Sequence, residues 1–349
     1  MSQPITASHG LLIGAGSVGK RHAAVMARRY PTMTVIDVNE DALMWARTNL
    51  PSVVATGTSL DEFSSEILQH SDQTTAVIAS WGPHHFEAFT KLVGLGVRRI
   101  FCEKPIAVSL RQLQLMRELC VKKDVSFTAG LHLRYRGVTE QVNDITRTHL
   151  GGPPTSIVVD GGARCIATNG THWLDLAIAI FGAPPMSVVA EIDSAPVNPR
   201  SPELLYWGGA ASWKFPGGAR LTINYDNASS VHERVRVYAR NGVVDIDSSS
   251  NIRGFRRNSA EIANDQRVAR TGDVMTDAPI AEYVTEFNEV LSLQLDEIEG
   301  RSSPLYSSSD AFGTAEALVA AFEASRLGKR LAIPVHQDII ESSIEWNIS

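Results

Sequence analysis

Cysteine is scarce in this chain. Its 349 residues hold three, Cys102, Cys120 and Cys165, widely spaced and without a CxxC pair. An odd count at that spacing excludes a disulfide framework and a zinc knuckle, and it suits a reducing compartment. A basic excess is also missing: 32 Lys and Arg stand against 38 Asp and Glu, for a net charge of −6. Nucleic acid is therefore not an expected partner. No uninterrupted apolar run reaches membrane-spanning length, and residues 1–9 lack the basic start and apolar stretch of a secretory signal, so a cytoplasmic location with no membrane partner is expected. There is no G-x-S-x-G elbow to support hydrolase chemistry. Internal repeats and low-complexity tracts are absent as well.

What is present is enough length for two hydrophobic cores and a glycine-rich turn. The apolar run Leu11-Leu12-Ile13 leads into Gly14-Ala15-Gly16-Ser17-Val18-Gly19, which opens a helix-like stretch, and Thr34-Val35-Ile36 ends in Asp37. Each glycine has a reason: Gly14 for the tight strand-to-helix turn, Gly16 so that backbone can approach a pyrophosphate, and Gly19 for close packing of the helix. Ser17 and Val18 then begin a helix whose unpaired N–H groups and positive dipole end attract phosphate. The pattern predicts dinucleotide binding. A carboxylate at Asp37 suits the ribose hydroxyls of NAD and repels the 2′-phosphate of NADP, and no Arg follows it, so NAD is the expected cofactor. The plainer reading of Asp37 is a strand-end acid that caps the next helix.

Short apolar runs at 11–13, 34–37, 52–55, 76–79, 99–102 and 126–129 alternate with helical patterns at 18–28, 41–48, 83–95 and 110–122, the last with Ser109 as N-cap. This alternation predicts an α/β, doubly wound Rossmann sheet over residues 1–130. Beyond Gly130 a helical stretch to Leu150 gives way to alternating strands. Asn241-Gly242 predicts a type I′ hairpin between 234–239 and 243–247, and Gly217-Gly218 joins 211–215 to 220–225. Residues 131–349 are expected to form an α+β domain with an open, mostly antiparallel sheet. Residues 248–272 read as a polar loop or irregular strands. Amphipathic segments at 278–299 and 310–327 close the pattern, with the C-terminal helix expected to pack back on the first domain.

Three further stretches could carry chemistry. Phe101-Cys102-Glu103-Lys104-Pro105 sits at the carboxyl end of a predicted strand, where open α/β sheets place their ligands. Pro105 pushes Lys104 toward an extended backbone or a cis bond. There its ammonium could stand beside a nicotinamide and stabilise a developing alkoxide. Thr168-Asn169-Gly170-Thr171-His172-Trp173-Leu174-Asp175 begins a helix in the second domain, with Asn169, His172 and Asp175 on one edge. His172 can take a hydroxyl proton near neutral pH, and Asp175 could orient it; an N-capped helix with a satisfied histidine is the alternative. Ser80-Trp81-Gly82-Pro83-His84-His85 lies at another strand end. Adjacent histidines diverge on a helix and no third ligand has metal spacing, so no metal is expected. This turn is read as packing against the nicotinamide end of the cofactor through Ser80, Trp81 and His85. Arg134 and Arg164 are the candidate forks for substrate oxygens.

Taken together, the glycine loop with His22 behind it, Glu103-Lys104-Pro105, and Gly170-Thr171-His172-Trp173-Leu174-Asp175-Leu176 resemble the Gfo/Idh/MocA oxidoreductase family. In the turn from Ser80 to His85 only the final histidine matches that family's pattern. The resemblance implies a Rossmann domain plus an open-sheet domain. It also implies NAD(P)-dependent oxidation or reduction of a sugar, polyol, sugar acid or nucleotide-sugar, with Lys104 and His172 in the active site and Glu103 near the cofactor. Association through the open sheet face is implied too, giving a homodimer or homotetramer. One departure is Thr168, where the family often has Asp. A hydroxyl cannot replace that carboxylate, which keeps open a nonenzymatic, dinucleotide-responsive binding or regulatory protein as the rival reading.

Overall fold

The computed structural model describes residues 7–194, 196–197, 205–247, 251–257, 275–278 and 287–348. Two compact units are present. The first comprises Met1–Leu131, Glu286–Ala315 and Ile340–Ser349, and the second His132–Thr285 and Glu316–Ile339. The first boundary thus falls one residue past the expected one, and each unit is built from separate stretches of chain.

In the first unit, strands β1 (His9–Ile13), β2 (Thr32–Ile36), β3 (Val53–Gly57), β4 (Thr74–Ile78), β5 (Arg99–Cys102) and β6 (Ser126–Ala129) alternate with α1 (Ser17–Arg29), α2 (Glu40–Asn49), α3 (Ser64–Gln69), α4 (His85–Gly94) and α5 (Leu110–Lys123). The sheet is wholly parallel, in the order β3-β2-β1-β4-β5-β6. Strand order reverses between β1 and β4, which opens a crevice at their carboxyl ends. Strand residues such as Leu11, Leu12, Val77, Ile78 and Ile100 are fully buried, as expected when helices cover both faces of a parallel sheet. Ser109 caps α5 as expected, its hydroxyl accepting the Gln112 N–H at 3.2 Å. The segment from Leu60 to Gln69 is helical, which the apolar pattern did not predict because only Leu60 and Ile67 are buried in it. The readable signal was the capping box of Ser59 and Glu62.

The second unit contains α6 (Val138–His149) and α7 (Thr171–Phe181) with strands β7 (Ser156–Gly161), β8 (Ser187–Ile192), β9 (Gly209–Lys214), β10 (Arg220–Tyr225), β11 (Arg234–Ala239), β12 (Gly242–Ile246), β13 (Ile252–Arg257), β14 (Met275–Ala278) and β15 (Leu331–Ala332). Among the described residues these strands form one sheet, β14-β13-β12-β11-β7-β10-β9-β8-β15, in which only β7 and β10 run parallel. Val235 and Val237 of β11 are buried while Arg234, Arg236 and Tyr238 are exposed. One face of the sheet therefore carries the core and the other is open.

Three expectations are corrected here. The hairpin between β11 and β12 exists, but Ala239 pairs with Gly242 across the two-residue loop Arg240-Asn241, and neither loop residue has a positive φ. A type I′ turn requires positive φ at both. Gly242 is instead a strand residue, where a Cβ would lie 2.1 Å from the Phe255 carbonyl oxygen. Within the stretch expected to be a polar loop or irregular strands, 252–257 is a regular sheet strand, whereas 248–250 and 258–272 lie outside the described residues. The two closing helices are Phe287–Ile298 and Ser308–Leu327; the second is buried on nearly every side from Ala311 to Ala324, so it is not amphipathic. Among the described residues no helix is long and apolar enough to cross a membrane.

The Phe287–Ile298 helix completes the first unit's core, packing Leu291, Leu295 and Ile298 with Val25, Met26 and Val35. Glu299, just past its end, is completely buried. Its carboxylate accepts from Tyr30 Oη at 2.5 Å, Thr75 Oγ1 at 3.1 Å and Arg29 Nη2 at 2.5 Å. Burial, followed by the Glu299 charge, pushes the Tyr30 phenol up from its ordinary pKa. Glu299→Ala removes the buried carboxylate shared by Arg29, Tyr30 and Thr75 and leaves Arg29 only the partly exposed Asp296, so unfolding in urea is expected to show a loss of about 3 kcal/mol or more. Glu299→Gln, which retains acceptors, should lose less.

Candidate functional site

At the carboxyl end of β1 the chain turns sharply into α1. Gly14 has φ +91°, and a Cβ there would lie 2.5 Å from the Ser80 nitrogen and 2.6 Å from the Ala79 carbonyl. Gly19 is equally constrained, since its Cβ would sit 2.0 Å from the Gly14 oxygen. Its tight contact is thus with the glycine turn itself. Gly16 is the opposite case: a Cβ would meet nothing within 4 Å, and Gly16, Ser17 and Val18 are all exposed. No side chain caps the N-terminus of α1, and its first turn carries no acid. Open space before a thirteen-residue helix with uncapped N–H groups fits a pyrophosphate. The residues present therefore suit a dinucleotide.

Asp37 stands directly after β2. Its Oδ2 accepts the Ala15 N–H at 2.6 Å and its Oδ1 the Asn39 N–H at 2.8 Å. Asn39, not Asp37, caps α2, accepting the Asp41 N–H at 2.8 Å. The carboxylate is thus fixed at the glycine loop with lone pairs left for ribose hydroxyls, four acceptor sites being available in all.

Two more strand ends complete the crevice of this unit. After β4, Ser80 Oγ and Trp81 Nε1 are buried polar atoms with no hydrogen-bond partner among the described residues. His85 is fully buried, its Nε2 2.8 Å from the Ser80 carbonyl and its Nδ1 2.8 Å from the Pro105 carbonyl. Burial lowers its pKa. The ring thus sits between the Ser80 turn and the loop after β5, and as a neutral imidazole it donates to one of the two carbonyls.

After β5, Glu103 points inward, its Oε1 2.7 Å from His22 Nε2. Burial alone would raise its pKa, but the His22 hydrogen bond and charge, with the Lys104 ammonium and backbone N–H, hold it down at about 2. Gly130 makes room, since a Cβ there would lie 2.7 Å from Glu103 Oε2. Lys104 follows, half-buried, with a cis bond to Pro105. His22 lay outside the expected cofactor set. The available signal was a histidine, 1% exposed, on the inward face of α1 between Gly19 and Ala23, where a polar group needs a partner.

In the second unit, α7 begins at Thr171, and Ile166–Gly170 forms a π-helical turn ahead of it. Asn169 and Thr168 therefore precede the regular helix, and the Thr168 hydroxyl is buried with no hydrogen-bond partner among the described residues. His172 is the half-exposed residue in a run of buried ones from Thr171 to Ile178. Its ring stands edge-on to His132, with centroids 4.4 Å apart; no spacing pattern had pointed to His132. Asp175, fully buried, is held by Arg134, with Nε 2.9 Å and Nη2 2.7 Å from Oδ1. Arg164 bonds to other groups, at 2.8 Å from His232 Nδ1 and 3.3 Å from Glu233 Oε2. The structure thus joins Arg134 to Asp175 and His132 to His172, while Arg164 keeps partners of its own. Among the described residues no group of three or more His, Cys, Asp or Glu side chains could hold a metal.

Comparison with known proteins agrees with the geometry. Residues 9–131 match the Gfo/Idh/MocA profile, described as an oxidoreductase family with an NAD-binding Rossmann fold. A stretch of 100 residues is 27% identical to inositol 2-dehydrogenase of Ralstonia nicotianae, covering 28% of this chain and 28% of that protein. Among solved structures, an Agrobacterium radiobacter oxidoreductase in complex with NAD+, L-tartaric acid and magnesium superimposes with a TM-score of 0.70 at 16% identity, over 94% of this chain and 99% of that one. The WlbA dehydrogenase of Bordetella pertussis, with NADH and UDP-GlcNAcA, does so at 0.70 and 17%, over 95% and 100%. The scyllo-inositol dehydrogenase of Lactobacillus casei gives 0.66 and 16%, over 95% and 100%. These structural likenesses establish the fold.

With NAD as the dinucleotide of this fold, Asp37→Ala is expected to weaken NADH binding about tenfold, the worth of a charged hydrogen bond. It should also narrow the preference over NADPH, as read by nucleotide fluorescence titration. The glycine loop, the carboxylate after β2 and the family match converge on one statement: residues 9–131 form an NAD-binding Rossmann region similar to that of the Gfo/Idh/MocA oxidoreductase family.

Proposed function

We propose that the chain is an NAD-dependent oxidoreductase that moves a hydride between nicotinamide and a secondary alcohol or ketone carbon of a polyhydroxy substrate: a polyol, sugar, sugar acid or nucleotide-sugar. The observation that carries this reading is the meeting of the glycine loop, Asp37, the Ser80 turn and Glu103-Lys104 at the carboxyl ends of parallel strands in one unit. The names of the relatives, inositol and nucleotide-sugar dehydrogenases among them, support the substrate class. Bound NAD supplies the hydride acceptor.

The chain's own residues would handle the proton. Lys104 donates a hydrogen bond to the substrate hydroxyl and stabilises its alkoxide character as hydride leaves. His172 takes the hydroxyl proton in oxidation and returns it in reduction. Asp175, paired with Arg134, steadies the helix turn that bears His172. Arg134, Asn169 and Arg164 remain the proposed contacts for substrate oxygens. Glu103, held low by His22 and Lys104, fixes the lysine's backbone from below.

The open sheet face supports self-association as a homodimer or homotetramer, because along its row Thr222 and Val158 are half-buried and Arg236 is exposed. Light scattering is expected to give two or four times the 37.9 kDa chain mass, with Arg236→Glu shifting the protein toward monomer.

Lys104→Ala and His172→Ala are each expected to lower turnover on the order of 100-fold or more, while NADH still binds. The assay is NADH absorbance with NAD+ and a panel of polyols, sugar acids and nucleotide-sugars. Wild-type rates in both variants would refute the assignment. Saturable NADH binding with no turnover on any substrate class would favour the nonenzymatic binding protein.

A further inference from the structure

The segment 343–348 belongs to the first unit and lies along the loop that carries Lys104 into α5. Ser343 Oγ accepts the Leu110 N–H at 3.1 Å, the first of α5, so the helix start is capped from a distant part of the chain as well as by Ser109. The Gln112 side-chain amide donates to Glu345 Oε1 at 3.0 Å, and its carbonyl accepts the Val108 N–H at 3.1 Å. The Trp346 N–H donates to the Val108 carbonyl at 2.9 Å. Ile348 is completely buried, and its carbonyl oxygen is 2.6 Å from where a Cβ on Gly82 would be, with the Pro105 ring 3.1 Å from the same point.

Gly82 is therefore glycine for a reason unconnected with its own backbone freedom, as its φ is not positive. The segment occupies its side-chain space. That contact puts Ile348 beside the turn bearing Trp81, with Pro105, the residue bonded to Lys104, close to the same point. Ile106, Ala107 and Val108 are each at most 2% exposed, so the loop has no solvent-facing slack through which a displacement could relax.

We infer that residues 343–348 are a positioning strap for Lys104, acting through Val108, Pro105 and Gly82. The inference rests on the reading that Lys104 stands beside the nicotinamide. Its mechanical part, that the strap orders the loop, is independent of that reading. The contacts of Ser343, Glu345 and Trp346 named here run to Leu110, Gln112 and Val108, so the strap should govern the lysine more than dinucleotide affinity.

The test uses the full chain with NADH as probe. Lys104 acetylation by trace acetic anhydride is followed by mass spectrometry with and without saturating NADH, and amide hydrogen exchange is read at Val108 and Leu110. In the wild type, NADH should slow Lys104 acetylation at least fivefold. In Ile348→Asp, which puts a carboxylate where a completely buried apolar side chain sits, NADH should bind within threefold of wild type, yet shield Lys104 less than twofold. Exchange at Val108 and Leu110 should rise at least tenfold, with Ala15 to Gly19 unchanged. Ile348→Val should behave as wild type, which separates positioning from general loss of structure. If Ile348→Asp does not fold, the Ser343→Ala, Glu345→Ala double variant removes two bonds without burying charge and carries the same expectations. Undiminished shielding and unchanged exchange at both amides would overturn the strap. Wild-type protein that binds NADH without shielding Lys104 would overturn the reading of the lysine, and the exchange result would then decide the strap by itself.

Discussion

The backbone of Gly14 approaches Ala79 and Ser80 so closely that no side chain fits between them. Both walls of the first unit's crevice depend on that contact. It brings the turn after β1 against the turn after β4 at the point where strand order reverses, and the same turn aims α1 so that Gly16 opens to solvent. Asp37 is locked to this turn through the Ala15 N–H, so the group that would read a ribose moves with the groups that would hold phosphate. His85 then ties the Ser80 turn to the Pro105 loop. A chain of short, directional contacts thus links the phosphate end of the site to the lysine, which is how a loop-built site acquires the rigidity its chemistry requires.

Three buried carboxylates of the described residues are each held by a cationic or imidazole side chain. Glu103 meets His22, Glu299 meets Arg29, and Asp175 meets Arg134. Each pair costs desolvation that its attraction roughly offsets, so none is a large source of stability. Their value is geometric, because each fixes the element that bears it, and the Glu299 pair is extended by Asp296 on Arg29 and Arg301 on Glu299. Glu103 holds the backbone of Lys104, Asp175 anchors the turn of α7 bearing His172, and Glu299 clamps a helix from late in the chain to the start of β4 through Thr75.

Much of this was legible in sequence. The six strands of the first sheet, the glycine turn and Asp37 follow from local pattern: apolar runs of strand length, glycine spacing and an acid at a strand end. Ser109 at the start of α5 and the Gly217-Gly218 turn are local in the same sense. The errors also have local causes. Asn241-Gly242 resembled a hairpin turn, but Gly242 answers to Phe255 on the next strand. The helical turns from Leu60 bury too few residues to show a period. The Ser308–Leu327 helix is buried on nearly all sides, so its pattern carries no stripe.

The sequence by itself determined the ordering of elements, the dinucleotide loop and the identity of the polar groups available, because each depends on residues a few positions apart. Only the tertiary structure decided their partners. That His22 receives Glu103, that His85 meets the Pro105 carbonyl, that Arg134 takes Asp175, and that a segment beginning at Ser343 seats against Gly82 are pairings across tens to hundreds of residues. A hydrogen bond or a van der Waals contact is satisfied by distance in space, and nothing in the local spacing of a chain encodes which remote group will arrive there.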